Sequence, residues 1–267
     1  MPGPNLNSTG YIVGFATALC GVCAIFVAAS AVGLKDRQEA NKIVDRQSKV
    51  LAVAGLLKDD EELSAEQIQG RFDKNIQARL ITLASGQYVE EADANTFDQR
   101  KATKDPARSK AAPTNAAQVT RIPNEALVYH VLADGQVKTI ILPIVGKGLW
   151  STMYGFLALD ADAETISGIT FYEHGETPGL GGEVENPKWQ ALWPGRKAFN
   201  DKGEVAVKVI KGHAGTPQED PYSVDGLSGA TITSRGVSAT LAFWLGETGY
   251  GPYLERFRGT GGARSAL

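Results

Sequence analysis

Cysteine is nearly missing from this chain: of 267 residues only Cys20 and Cys23 are cysteines, and both fall in one apolar stretch near the N-terminus. A disulfide framework or a thiolate zinc site in the rest of the sequence is thereby excluded. The Cys20-Gly21-Val22-Cys23 spacing would put both thiols on one helix face. No second cysteine pair and no nearby histidine completes a metal site, so the two read as small apolar packing residues. Histidine is scarce as well, with His130, His174 and His213 only, and no Ser-His-Asp arrangement points to a hydrolase. Neither sign of charge dominates: 27 Lys and Arg face 30 Asp and Glu, a net charge of −3. The basic residues are scattered rather than striped, which argues against nucleic acid as a partner. No internal repeat is present.

Charge is absent from the start of the chain too. Residues 1–10 hold no Lys or Arg, and residues 11–34 hold no charged residue and no proline. About 24 apolar and small residues suffice to cross a bilayer as a helix. Gly14, Ala18, Gly21 and Ala28 would let neighbouring helices approach closely. Ala29-Ser30-Ala31 resembles a signal-peptide cleavage site, yet the uncharged N-terminus and the length of the run favour a retained anchor. Beyond it, Lys35, Arg37, Lys42 and Arg46 would, by the positive-inside rule, place the soluble part in the cytoplasm.

The most informative stretch is Asp225-Gly226-Leu227-Ser228-Gly229-Ala230-Thr231-Ile232-Thr233-Ser234. Two glycines and an alanine bare the backbone, and four hydroxyls crowd it. Val237, Leu241, Trp244 and Leu245 mark a helix that follows. The hydroxyls therefore sit at a helix N-terminus, where unpaired N–H groups and a partial positive charge suit a phosphate. Read alone, the segment is equally an ordinary helix cap after a Gly-rich turn. Asp225-Gly226 followed by Ser228-Gly229-Ala230-Thr231 resembles the flavinylation motif of the FMN-binding domain family. That resemblance implies that a flavin transferase joins FMN through its phosphate to Thr231. Ser228, Gly229, Ala230 and Thr233 would surround the phosphate, and Asp225 would serve during attachment.

Two further motifs precede it. Glu173-His174-Gly175-Glu176-Thr177-Pro178-Gly179-Leu180-Gly181-Gly182 has four glycines and a proline, a tight loop with its backbone exposed. Such a loop can lie against a flat ring and offer N–H groups to its carbonyls. Gly146-Lys147-Gly148-Leu149-Trp150-Ser151-Thr152-Met153-Tyr154-Gly155 concentrates large side chains, which suit a flavin pocket and a core equally well. The first of these is similar to the Glu-Thr-Pro-Gly-Leu-Gly signature of flavinylated subunits in two related redox pumps. Asn186-Pro187-Lys188-Trp189 favours the C subunits of sodium-translocating NADH:quinone reductases over the alternative, the G subunits of ferredoxin-linked Rnf complexes. The resemblance assigns cofactor contacts to Glu176, Thr177, Gly179, Leu180, Gly181, Trp150 and Ser151. It gives no catalytic residue and no metal ligand.

The expected class is α+β. Residues 1–10 form a tail, 11–34 a transmembrane helix, 35–91 a juxtamembrane helical region and 92–121 a polar insertion. Residues 122–260 form an FMN-binding domain with a mixed sheet and packed helices, and 261–267 a second tail. Within this, a helix runs over 65–83 behind a Ser64–Gln67 capping box. Strands cover 127–132, 137–145, 156–159, 166–172 and 205–210, with a hairpin at Asp134-Gly135. His130, among apolar neighbours in a strand, reads as structural, and His174 as capping its turn.

The resemblance implies a flavoprotein subunit of a bacterial inner-membrane pump, its soluble domain periplasmic, against the positive-inside signal. Covalent FMN would relay electrons from an iron–sulfur centre towards a second flavin and ubiquinone, with NADH oxidation driving sodium export. Its partners would be the other subunits, the transferase and membrane lipid. A contrasting expectation is an anchored assembly protein without flavin.

Overall fold

The computed structural model describes residues 8–57, 61–90 and 92–260, with the side chain of Asp36 outside the description. The two tails lie largely or wholly outside these residues, as does half of the acidic stretch at 59–62. The chain divides into two units, Met1–Arg46 and Gln47–Leu267.

Helix α1 (Thr9–Val53) begins in the first unit and ends in the second. Its stretch Thr9–Lys35 contains an 18-residue window with a mean hydropathy of 2.4, none of it buried. That length and composition suit a bilayer. In the second unit Val50 and Leu51 are fully buried. The helix stops where Gly55 takes a positive φ and the Leu56 N–H donates to Leu51 O, the pattern of a Schellman motif.

Helix α2 (Ala65–Asn75) starts with the expected reciprocal capping box and ends eight residues earlier than the spacing of Ile76, Leu80 and Leu83 predicts. From there the chain extends as strand β1 (Ile76–Thr82), with β2 (Gln87–Tyr88) beside it. The cause is visible: all seven residues of β1 pair antiparallel with a central strand. Tertiary pairing outweighs local helix propensity here.

The polar segment after residue 92 is structured as well. It carries α3 (Gln99–Lys104) and β3 (Ser109–Ala111), which pairs with β4 (Arg121–Pro123). Isolated buried residues, Phe97, Ala102 and Ala117, fasten it. Three apolar contacts spread over some twenty polar residues leave no periodic signal.

Strands β5 (Glu125–Ala133), β6 (Gln136–Lys147), β7 (Thr152–Asp160) and β8 (Ile166–Glu173) complete a six-stranded sheet in the order β2-β1-β5-β6-β7-β8. Every pairing in it is antiparallel. Asp134 and Gly135 both have positive φ, as a two-residue hairpin requires. A short α4 (Pro187–Gln190) follows a 3₁₀ turn. The strand expected over 205–210 shrinks to β9 (Lys208–Val209), which pairs in parallel with β10 (Ser223–Val224) in a separate ribbon. Val209 N–H goes instead to the Ser238 hydroxyl on α5 (Thr231–Leu245), so this segment serves the helix rather than the sheet. Helix α6 (Gly251–Gly259) closes the fold.

The sheet is buried on both faces. Phe72 of α2 packs edge-on against Tyr129 on one side. Val237, Leu241 and Trp244 of α5 join Ile140, Leu142 and Leu157 in the core on the other. Trp244 Nε1 donates to Val145 O at 2.7 Å, and the Tyr250 hydroxyl donates to Pro143 O at 3.0 Å, pinning the helical layer to β6.

His130 lies wholly inside this core, its Nε2 2.7 Å from the Tyr253 hydroxyl and its Nδ1 without a partner. Burial, with some help from Arg79, pushes its pKa down to about 4. The unfolded chain takes up this proton near pH 6.5, whereas the folded one resists until about pH 4. The stabilisation is therefore complete above pH 6.5 and is lost as pH falls to about 4, by roughly 3 kcal/mol. Urea midpoints measured across this range should fall steeply in the wild type. They should fall less in His130→Gln; equal slopes would contradict the assignment.

Candidate functional site

The three sequence motifs meet at the ends of β6, β7 and β8 and at the start of α5. Between β6 and β7 the chain turns sharply, with Gly148 N–H donating to Ser151 O at 2.8 Å. This directs the N–H groups of Leu149, Trp150 and Ser151 inward, and all three end on the Glu176 carboxylate, at 3.1, 2.9 and 3.2 Å. The Thr233 hydroxyl, one turn into α5, donates to the same carboxylate at 2.6 Å. One side chain thus ties together loop 148–151, loop 174–182 and the first turn of α5.

Burial pushes the Glu176 pKa up, but the Thr233 hydroxyl and the three N–H groups outweigh it and hold the carboxyl below its usual range. The group is an anion at neutral pH, 5% exposed. With two hydrogen bonds to each oxygen its acceptor capacity is filled. Glu176 and the Thr233 hydroxyl, both expected to touch a cofactor, are bonded to each other.

The neighbouring loop is fixed from within. Ser151 Oγ accepts the Gly175 N–H at 2.6 Å, and Thr177 O accepts the N–H groups of Leu180 and Gly182. A side chain at Gly181 would come within 2.6 Å of the Thr233 hydroxyl and 2.7 Å of Glu176. Only glycine lets the loop approach α5 so closely. His174 does cap its turn: Nδ1 accepts the Glu176 N–H at 3.1 Å, while Nε2 lies 3.1 Å from Glu185, in ion-pair range without hydrogen-bond alignment.

The hydroxyl-rich stretch resolves into two kinds of residue. Thr233 and Ser234 are buried, the latter accepting the Leu227 N–H at 3.1 Å. Ser228 and Thr231 are exposed. Ala230 occupies the N-cap position, and no side chain caps the helix. Four nearby hydroxyls therefore leave the first turn of α5 open, contrary to an ordinary cap. Gly229 has a φ of +68°, and a Cβ there would meet Leu180 Cδ2 at 2.8 Å.

Asp225 faces away from this turn. Its carboxylate accepts the Ala214 N–H at 2.8 Å and contacts His213 Nδ1 at 2.7 Å. Burial raises its pKa, and those two partners bring it below the usual range. Trp189 Nε1 donates to Asp225 O at 2.9 Å, so the Asn186-Pro187-Lys188-Trp189 continuation buttresses the motif from below.

Within the three motifs the exposed large apolar side chains are Leu149, Trp150 (67% exposed), Leu180 and Ile232. Sequence reasoning passed over Ile232, although helical periodicity counted back from Thr233, Val237 and Leu241 turns position 232 outward. It passed over Arg100 too. From α3 its guanidinium lies 3.6 Å from the Tyr154 ring centroid and 2.8 Å from Glu173, the residue that leads into the loop. Among the described residues no group of three or more His, Cys, Asp or Glu could hold a metal ion.

Residues 148–246, which take in two of the motifs whole and the third from Gly148 on, match the FMN-binding domain family. The chain is 46% identical over 257 residues to the C subunit of Na(+)-translocating NADH-quinone reductase from Yersinia pestis, covering 95% of each chain. It is 45% identical over 258 residues to the C subunit of the same reductase from Pseudomonas aeruginosa, covering 95% of this chain and 98% of that one. Among solved structures it resembles NqrC of Shewanella oneidensis with a TM-score of 0.74 and 33% identity, over 84% of this chain and 99% of that one. The corresponding Na(+)-translocating NADH-quinone reductase C subunit from Parabacteroides distasonis gives a TM-score of 0.62 and 30% identity, over 83% and 96%.

Proposed function

The chain belongs to the family formed by the C subunits of Na(+)-translocating NADH-quinone reductases, and on that premise we propose that it carries FMN as a phosphoester on Thr231. The observation that carries this reading is the exposed Thr231 hydroxyl on an uncapped helix start, at the junction of three motifs that leave Trp150, Leu180 and Ile232 exposed. The residues fit the group. The open N–H groups of α5 suit the phosphate, which explains why the stretch carries no cation before Arg235. The bare backbone at Gly229 lets Leu180 pack close to the start of the helix, and the exposed indole and aliphatic side chains suit a flat ring. Ser228 supplies a second exposed hydroxyl beside the phosphate. Thr177 and Gly179, exposed on the facing loop, offer backbone groups to the ring edge.

Bound FMN supplies a carrier that accepts one or two electrons and passes them on singly. The chain's own part is to tether it, orient it and exclude exchange with free flavin. Thr231 is then a site of modification rather than a nucleophile in turnover. In this reading the protein relays electrons from an iron–sulfur centre towards a second flavin and ubiquinone, within a complex whose NADH oxidation drives sodium export. A separate flavin transferase makes the ester, and Asp225 holds the motif in register for it through Ala214 and His213.

The helix within Thr9–Lys35 anchors the chain in the bacterial inner membrane, with the soluble domain on the periplasmic side. The partner subunits set that orientation against the charges at Lys35, Arg37, Lys42 and Arg46. Covalent attachment is read by flavin fluorescence on a denaturing gel after co-expression with a transferase. A fluorescent band is expected, and a dark band from a folded chain would contradict the reading. In the same cells, Ala107→Cys, at an exposed turn, should react with an impermeant thiol reagent added outside; protection until lysis would reverse the orientation.

A further inference from the structure

The Glu176 carboxylate is the one buried acid at the junction of the three motifs, and its charge meets no cation among the described residues. Each ion pair in the soluble domain joins other groups. Its charge is balanced by three backbone N–H groups and a hydroxyl at the start of a helix. If the junction only had to be tied together, the charge would be an expense, since burying an ion without a counter-ion is unfavourable. The same bonds also turn the N–H groups of Leu149, Trp150 and Ser151 inward and leave Trp150 and Leu149 bare outside. A flat ring resting on those residues thus lies over a fixed negative charge, separated from it by a single turn of backbone.

Resting on the reading that Thr231 carries FMN, we propose that Glu176 is a positioning residue whose fixed charge lowers the reduction potential of the flavin above it. The physical reason is direct. Adding an electron to the ring places negative charge near a carboxylate that neither moves nor titrates at neutral pH and is itself buried away from water. Exposed charges nearby, such as Arg235 and Glu173, are screened by solvent and salt and set this potential far less. Thr233 belongs to the same device: its hydroxyl partly neutralises the carboxylate, so the pair sets how much of the charge the ring feels.

Two substitutions separate this from a purely structural role. Glu176→Gln removes the charge and should raise the flavin midpoint potential. Thr233→Val keeps the charge and the shape of the side chain but removes the neutralising donor, and should lower it. The expected size in Glu176→Gln is on the order of tenfold in the one-electron equilibrium, about 59 mV, with a smaller shift of opposite sign in Thr233→Val. The full-length chain, co-expressed with a flavin transferase and purified in detergent, is titrated optically, with intact mass recorded for each sample. Shifts of opposite sign support the proposal. Shifts of the same sign, as loosening of the junction would give, overturn it, and so do unchanged potentials in both. Should Glu176→Gln fail to fold, Thr233→Val alone decides: a lowered potential supports the proposal, an unchanged or raised one overturns it. A wild-type chain without flavin mass defeats the underlying reading instead, an outcome that the mass distinguishes from a failure of the charge.

Discussion

Thr231→Ala should lose its covalent flavin completely. The chain would run dark on a denaturing gel and show the mass of the bare polypeptide, with its folding unchanged. Both halves follow from burial. Thr231 is exposed at the first position of α5 and caps nothing, so removing its hydroxyl should alter stability by no more than about 0.5 kcal/mol. The competing hydroxyls differ in access. Thr233 and Ser234 are buried and bonded to Glu176 and to the Leu227 N–H, which closes them to a transferase. Ser228 is the other exposed hydroxyl of the stretch. Flavin persisting in Thr231→Ala would thus point to Ser228, and its removal by Ser228→Ala would relocate the site.

Gly236→Ala should damage the site strongly although it touches none of the residues proposed to meet the cofactor. An exposed glycine within a helix usually gains about 1 kcal/mol on replacement by alanine. Gly236, though, faces the end of β6, where a Cβ would collide with the Lys147 carbonyl oxygen. Backbone cannot step aside as a side-chain tip can. Helix α5 would have to lift from β6, and the cost is about 1–3 kcal/mol or more. Lifting α5 also draws Thr233 away from Glu176, so attachment should slow along with the loss of stability. A fall in the urea midpoint with reduced flavin incorporation is the expected result. A gain in stability would show that α5 does not rest on that carbonyl.

The legible parts of this fold are those encoded by neighbouring residues. Asp134-Gly135 marks its hairpin because only residues that tolerate positive φ close such a turn. Ser64 with Gln67 marks the start of α2, and the spacing of Val237, Leu241 and Trp244 marks α5. The three motifs also announce the site in their correct order along the chain. What stayed hidden depends on partners distant in sequence. The end of α2 is set by pairing with β5, more than forty residues on, and local spacing cannot register that. The segment after residue 92 looks like loop because it is fastened by single contacts, such as Gln99 accepting the Leu127 N–H and Arg100 lying over Tyr154.

Within the site, the identity of the residues was readable but the direction of their bonds was not. Glu176 and Thr233 look like ligands in a row of polar residues; folded, each satisfies the other, and the large apolar side chains left exposed in the three motifs include Trp150, Leu180 and Ile232. The divergence has one cause. Polar groups brought together in a protein interior bond to each other before anything else, so the residues left for a cofactor are those the fold leaves unsatisfied.

The central claim is that Thr231 carries the flavin, and intact mass spectrometry with peptide mapping of the full-length chain tests it most directly. After co-expression with a flavin transferase, the account predicts a mass gain of one FMN less one water, located in the peptide containing Thr231 and fragmenting at that residue. An unmodified mass, or the same gain located on any other residue, would contradict it.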